Sequence, residues 1–408
     1  MSPRIAIFGL GRVGLPLGLY FARQGATVYG VDHNAQLVET LRRGRMPFLE
    51  EQGEEFLQET LGKTFFPTTT LDCVAETESI ILTLGTPVDE HLDPVFSELE
   101  QGIASLLPHF RKGQLLVLRS TVAPGTTEGL KRHLEQKTSF RVGEDLFLSF
   151  CPERIAEGQA LQEIPEVPQI IGGVDAESTR RSEELFRLIN SRLLLTDATS
   201  AELAKLFCNM YRYIDFAIGN EFFYLTLQHG RNMFEILDLI NRDYKRGGLK
   251  PPGLTGGPCL YKDGFFLVTG SPFNDLISAA WKINETVPYM LINELKKHIP
   301  LQATRVALLG LGFKRNIDDD RNSLSRKVQR LLLKEGSQVS LHDPFLHKCD
   351  LAEVLSHARA VMICTNHDFY QQLGLEGLRR LAPADAFVCD IWNLFGVGKL
   401  IYVLKETE

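Results

Sequence analysis

No apolar run in the chain is long enough to span a bilayer, which argues against a helical membrane protein. Cys-x-x-Cys pairs are missing too. The seven cysteines lie scattered over 408 residues, so a reducing compartment is expected, with neither a zinc site nor a disulfide framework. There is no basic excess: the formal net charge of −7 disfavours a nucleic-acid backbone or an anionic membrane as main partner. An anionic ligand would have to be caught by local arginines and lysines. Short-period repeats and low-complexity tracts are absent. With the first strand read from Arg4, no signal peptide is expected. The remaining expectation is a soluble cytoplasmic protein of ordinary composition, long enough for two or three domains.

What is present starts at once. Arg4–Phe8 reads as a buried parallel strand, followed by Gly9-Leu10-Gly11-Arg12-Val13-Gly14, a helical pattern to Gly25, and a second strand, Thr27–Val31, ending at Asp32. A Gly-x-Gly-x-x-Gly run in that setting is a dinucleotide-binding turn. Gly9 permits the turn, Gly11 lets the backbone approach a pyrophosphate, and Gly14 allows close helix–strand packing. The pyrophosphate would lie on the helix N-terminus, beside Arg12 and Val13, where free N–H groups favour anions. Asp32 would accept the ribose hydroxyls and repel a 2′-phosphate, so NAD is expected rather than NADP.

Strand and helix patterns alternate to about Ser200. Strands at Ser79–Leu84, Leu115–Leu118 and Leu146–Phe150 lead into Gly85-Thr86-Pro87, Arg119–Thr127 and Cys151-Pro152-Glu153-Arg154. In an open parallel sheet ligands bind beyond the carboxyl ends of strands, so these segments are expected to border one cleft. From Asp197-Ala198-Thr199-Ser200, rich in helix-capping residues, helix-compatible sequence runs to Gly230. Its apolar load (Leu203, Leu206, Phe207, Met210, Tyr213, Ile214, Phe222, Phe223) is too great for one covered face, and a homodimer interface is expected. Near Thr304 the alternation resumes, with strands at Arg305–Leu309, Val339–Pro344, Ala360–Cys364 and Ala386–Asp390. Here the glycine turn, Gly310-Leu311-Gly312, has no third glycine. The expected fold is α/β: two Rossmann-like doubly wound domains joined by a central helical domain with a long helix. The boundaries are 1–198 for cofactor binding, 199–300 for dimerisation and the cysteine loop, and 301–408.

The chemistry concentrates in a few places. Gly256-Gly257-Pro258-Cys259-Leu260-Tyr261-Lys262-Asp263 sets a thiol in a tight turn beside an ammonium and a carboxylate, and a nearby cation favours thiolate. Lys262 would either act on Cys259 in this way or pair with Asp263. Glu202, Lys205 and Asn209 share one helix face, as a solvated polar stripe or as an oxyanion site. Glu153 and Glu157 flank Arg154-Ile155-Ala156 and would serve as acid or base, or be solvated. The Ser120 and Thr121 hydroxyls would bind cofactor or cap the following helix.

With these segments in order, the chain resembles the UDP-glucose/GDP-mannose dehydrogenase family from end to end. The matching pieces are Gly9–Pro16, Ser120–Thr127, Pro152-Glu153-Arg154, Glu202-x-x-Lys205-x-x-x-Asn209, Asn220-Glu221, Gly256–Asp263, Gly312-Phe313-Lys314 and Asp318-Asp319-Asp320-Arg321. The resemblance implies oxidation of a nucleotide-sugar C6 alcohol to a carboxylate with two NAD. Cys259 would add to the intermediate aldehyde, and Lys205 and Asn209 would stabilise oxyanions. Asp263 and Thr121 would position water, and Glu153 would be the base for thioester hydrolysis. It also implies cofactor contacts at Thr86 and Thr121, and substrate contacts at Glu157, Lys205, Asn209, Gly256, Gly257, Lys262, Lys314 and Arg321, the last two holding the nucleotide or closing the domains. An arginine from a neighbouring subunit is implied upstream of the cysteine loop, with Lys245 and Arg246 as the two candidates. The substrate would be a UDP-hexose or UDP-N-acetylhexosamine. Cys151–Ile155 with Ile170–Gly173 looks like the N-acetylhexosamine branch, and Lys262-Asp263 like the glucose and mannose branch. The chain departs from the family pattern at Pro251–Gly257, at Tyr261, and at Asp390-Ile391-Trp392-Asn393, where Asp-Gly-Arg-Asn is usual. Trp392 would stack on a base or pack in the core. The alternatives are a two-electron dehydrogenase of the same plan, or a nucleotide-sugar-binding protein without turnover.

Overall fold

The computed structural model describes residues 2–86, 88, 89, 95, 97–268 and 274–406. Pro87, in one of the strand-end segments, lies outside them. The chain forms two compact units, one of residues 1–208 with 265–270 and one of 209–264 with 271–408.

The first unit is built on strands β1 (Arg4–Phe8), β2 (Thr27–Val31), β3 (Phe65–Thr68), β4 (Ser79–Leu82), β5 (Leu115–Leu118), β6 (Phe147–Phe150), β7 (Gln169–Gly173) and β8 (Leu193–Asp197). They form one sheet in the order β3-β2-β1-β4-β5-β6-β7-β8. Neighbours are parallel except for the antiparallel β6–β7 pair. β4, β5 and β6 are buried at every residue, as strands covered on both faces must be. Alternate side chains of β1 divide between the two faces. Ile5 and Ile7 join Leu15, Phe21 and Phe65, while Ala6 and Phe8 join Ile80, Leu82 and Leu116. The order reverses between β1 and β4, and at such a switch point a crevice opens beyond the carboxyl ends of the strands. The turns after β1, β4, β5 and β6 all emerge at that edge.

In the second unit β9 (Arg305–Leu309), β10 (Gln338–His342), β11 (Ala360–Ile363), β12 (Phe387–Asp390) and β13 (Ile401–Val403) form a sheet of order β10-β9-β11-β12-β13. It is parallel apart from β13, which pairs antiparallel with β12. Phe223, Leu237, Val287, Leu291 and Leu295 from the helical segment pack with Val306, Leu308, Met362 and Cys389 of the sheet in one core. The division between units falls inside the helix Ala198–Gln228, whose first turn is held by Asp197 Oδ1 accepting from Ser200 N at 2.9 Å. Among the described residues, no helix is long and apolar enough to cross a membrane.

Candidate active site

In the first unit the glycine turn is built as the sequence requires. Gly9 has φ +90°, and its N–H donates to Val31 O at 2.9 Å. A Cβ on Gly14 would stand 1.9 Å from Gly9 O and 2.4 Å from Thr83 Oγ1, whereas one on Gly11 would meet nothing within 4 Å. Gly14 is therefore a packing glycine, and Gly11 leaves open the space a pyrophosphate needs. Asp32 Oδ2 accepts from Leu10 N and Oδ1 from Asn34 N, each at 2.8 Å. Each oxygen keeps acceptor capacity for a ribose hydroxyl, so these residues fit NAD. Thr83 Oγ1 donates to Gly9 O at 2.7 Å, Thr86 Oγ1 to Thr121 O at 2.7 Å, and Ser120 Oγ to Leu84 O at 2.6 Å. The Ser120 hydroxyl thus ties neighbouring strand ends together and does not cap the helix that follows. Arg12 lies 3.9 Å from Glu157 and 4.9 Å over the Phe48 ring, which joins an expected cofactor residue to an expected sugar residue.

Glu153 sits nearby and is buried. Its Oε2 accepts from Arg119 Nε at 3.0 Å and also pairs with Arg119 Nη2; its Oε1 accepts from Arg154 N at 2.7 Å and Ile155 N at 3.1 Å. Arg119 is itself buried, and its Nη1 donates to Cys151 O and Gln169 Oε1 at 3.0 Å each. The backbone O of Glu153 accepts from Lys205 Nζ at 2.6 Å, which fixes that ammonium beside the segment. Glu202, one turn earlier on the helix, is fully buried. It accepts from Gly125 N at 2.6 Å, Thr127 N at 2.8 Å and Thr127 Oγ1 at 2.6 Å, and so caps the helix Thr126–Lys137. Burial pushes its pKa up despite these donors. A solvated stripe is ruled out for Glu202.

In the second unit Cys259 is exposed and forms no disulfide, at the head of the short helix Leu260–Asp263. Pro252 to Gly257, leading to it, are all buried. Asp263 is fully buried; its Oδ2 accepts from Asn209 Nδ2 at 2.6 Å and its Oδ1 from Lys262 Nζ at 3.2 Å. Lys262 therefore pairs with Asp263. At Gly256 and Gly257 the loop is held on Asn322 O, to which Gly257 N donates at 3.1 Å. Arg321 makes a forked contact with the buried Asp319, at 2.6 to 3.0 Å. Asp343 occupies the place in this sheet that Asp32 has in the first, with a different outcome. Its two oxygens accept from Leu311 N, Gly312 N, Phe345 N, Leu346 N and His367 Nε2, between 2.6 and 3.1 Å. His367 Nδ1 accepts from Asn316 N at 2.9 Å, which makes Nε2 the protonated nitrogen. Burial raises the Asp343 pKa, but the bonds from His367 and Leu311 N–H outweigh it and leave the carboxyl well below the usual range. Five donors saturate this carboxylate, so Asp343 lacks the acceptor capacity that Asp32 would offer a ribose.

Family models match in the same order as these sites. The NAD binding domain of the UDP-glucose/GDP-mannose dehydrogenase family covers residues 3–190, the central domain 199–286 and the UDP binding domain 307–397. The chain belongs to this family. It is 33% identical to the UDP-N-acetyl-D-mannosamine dehydrogenase of Pyrococcus horikoshii over 387 residues, 92% of each chain. It is 30% identical to the enzyme of the same name from Methanocaldococcus jannaschii over 425 residues, 100% of this chain and 98% of the other. The solved UDP-D-ManNAc dehydrogenase structure from Pyrococcus horikoshii superposes with a TM-score of 0.88 at 31% identity, covering 93% of each chain.

As a member of this family the chain is an oxidoreductase with an NAD-binding domain and a UDP-binding domain. Among the expected site residues, the structure groups Arg12 with Glu157, Lys205 with Glu153, and Asn209 with Lys262 and Asp263. Two neighbours were missed. Arg119 holds Glu153, and its signal was slight: an arginine at the end of an apolar strand. Asn284 donates to Tyr213 O at 3.1 Å and accepts from Asn220 Nδ2 at 2.9 Å, and nothing local marks it. Trp392 is partly buried, and its Nε1 donates to Cys364 O at 3.2 Å.

Proposed function

We propose that this protein oxidises the C6 alcohol of a UDP-N-acetylhexosamine, foremost UDP-N-acetylmannosamine, to the carboxylate through Cys259. The observation that carries the reading is an exposed cysteine followed by Lys262 and Asp263, with Asp263 accepting from both Lys262 and Asn209, in a chain with both NAD- and UDP-binding domain models. The names of the relatives support the choice of sugar. Overall, the alcohol, two NAD and one water give the carboxylate, two NADH and three protons. Gly9, Gly11, Arg12, Val13, Gly14, Asp32, Thr86 and Thr121 would hold NAD, which would supply the hydride acceptor for both oxidations. Cys259 Sγ bonds to the carbon of the aldehyde left by the first oxidation. The Lys205 ammonium and Asn209 amide stabilise the oxyanion that develops. The tetrahedral thiohemiacetal then loses the second hydride and becomes a thioester, which water cleaves to release the thiol. Glu153 is the base for that water, and Asp263 with Thr121 orients it and relays its proton. Glu157, Gly256, Gly257, Lys262, Lys314 and Arg321 contact the nucleotide sugar, and Lys245 or Arg246 serves a neighbouring subunit. The functional domains are 1–198, 199–300 and 301–408, in a cytoplasmic homodimer.

The test is NADH release from UDP-N-acetylmannosamine, UDP-N-acetylglucosamine, UDP-N-acetylgalactosamine, UDP-glucose and GDP-mannose. Two NADH per UDP-N-acetylmannosamine is the expected result. One NADH per sugar would establish the two-electron alternative, and no release with any N-acetylhexosamine would overturn the substrate class.

A further inference from the structure

Trp392 stands on the loop that follows β12, at the same carboxyl edge of the second sheet as the Gly310-Leu311-Gly312 turn after β9. Its indole reaches the loop that leads to the cysteine. A Cβ built on Gly253 would lie 2.3 Å from Trp392 Cζ3 and 2.5 Å from Cη2, so the ring rests directly on the Gly253 backbone. The ring is held in place by the bond from Nε1 to Cys364 O, and its backbone N–H donates to the buried Asp390 at 3.1 Å.

From the other side, Gly253 N donates to Asn220 Oδ1 at 2.8 Å. Asn220 is buried and anchored through Asn284 to Tyr213 O. Gly253 is thus clamped between an aromatic ring and a buried amide chain. Four residues on, Gly257 is fixed by its bond to Asn322 O and by the Phe313 ring, against which a Cβ would stand 2.6 Å away. Nothing between the two clamps is exposed, and Cys259 follows two residues later. A stiff, buried lead-in of this kind transmits a displacement at Gly253 to the thiol.

We propose that Trp392 is a positioning residue for Cys259, acting through Gly253 to couple the ligand edge of the second sheet to the thiol loop. The proposal rests on the reading of Cys259 as nucleophile. It is tested in the full-length protein with Trp392→Ala, Trp392→Phe, Gly253→Ala and the Gly253→Ala/Trp392→Ala double variant. One readout is the rate of Cys259 alkylation by iodoacetamide, followed at the Cys259 peptide. The other is kcat and KM for NADH release.

Trp392→Ala and Gly253→Ala are each expected to change the alkylation rate and to lower kcat about 10- to 100-fold, as small misplacements of a reacting group do. The KM for NAD stays unchanged, because the NAD-binding turn is not touched. Trp392→Phe, which keeps a ring over Gly253, retains most of the activity. The double variant recovers relative to Gly253→Ala alone, because the added methyl then occupies the vacated ring position. Multiplying losses with no such rescue would show that the two residues do not act through their contact, and that result, or wild-type alkylation and kcat in Trp392→Ala, would overturn the proposal. If the unsubstituted protein released no NADH from any nucleotide sugar, the nucleophile reading would fall, while the alkylation cycle would still judge the contact between Trp392 and Gly253.

Discussion

A thiol serves a double oxidation only where an aldehyde can reach it and a tetrahedral adduct can form. Cys259 differs on this point from Cys151, Cys364 and Cys389, which are buried. Burial pushes the Cys151 thiol up to about 11, so it remains a packed, inert group. Replacing Cys259 with serine removes the group proposed to hold the aldehyde and leaves the glycine turn at Gly9–Gly14 unaltered. The overall rate should fall by at least about three orders of magnitude, and rapid mixing should show one NADH per site where the unsubstituted protein makes two. Two rapid NADH per site in Cys259→Ser would refute the covalent route. At this scale the residue types were legible wherever chemistry and local turn coincide: Gly9 to Gly14, Asp32, Cys259. Partners distant in sequence were not. Arg119 and Glu153 are 34 residues apart, and Glu202 and Thr127 are 75 apart; only the fold puts them side by side.

Elements have ends, and at two of these ends a buried carboxylate accepts from backbone N–H groups. The helix Thr126–Lys137 begins at Gly125, which has φ +86° and no capping side chain of its own. Glu202, from another helix, supplies the missing acceptor for two of its N–H groups and for the Thr127 hydroxyl. Glu202→Ala would leave those buried donors unpaired and should cost about 2–4 kcal/mol in urea unfolding. Glu202→Gln, which keeps one acceptor oxygen, should lose less. Equal stability of all three proteins would contradict the capping role.

The second end is Asp390, at the carboxyl end of β12. Burial raises its pKa to about 6, although the N–H groups of the following turn partly hold it down. Below about pH 4, the ordinary aspartate value, folded and unfolded chains both carry the proton. Between about 4 and 6 only the folded chain keeps it, so the contribution of this group falls as pH rises through that window and is fully lost above it. An asparagine does not titrate. The stability of Asp390→Asn relative to the unsubstituted protein should therefore improve by about 2–3 kcal/mol from pH 4 to pH 7; a gap independent of pH would show that Asp390 ionises normally.

At the scale of the whole molecule, alternation of strand and helix was enough to read two Rossmann-like sheets, because buried parallel strands write continuous apolar runs such as Ile80-Ile81-Leu82. The added β7–β8 pair, antiparallel to β6, was not legible, since strand direction leaves no local mark. The apolar excess of the long helix has a consequence in the second unit. Met210, Tyr213 and Phe223 are buried there, but Tyr211 is 70% exposed, Phe222 45% and Leu225 46%, and Leu239 of the next helix is 80% exposed. An apolar surface of that kind marks an interaction site. The half-exposed Phe222 and Leu225 each have about 1 kcal/mol left to gain by burial, and two-fold symmetry would count each twice. The protein should therefore run as a dimer in light scattering coupled to size exclusion, with a Tm that rises with protein concentration. Phe222→Asp with Leu225→Asp places two carboxylates on that surface, where they would meet their symmetry mates. This variant should be monomeric, with a Tm independent of concentration, since each chain retains the core of Met210, Tyr213 and Phe223 behind the altered face. A dimer that survives both substitutions would place the contact on a different face, and an unsubstituted protein that is monomeric at every concentration would leave the exposed side chains to another partner.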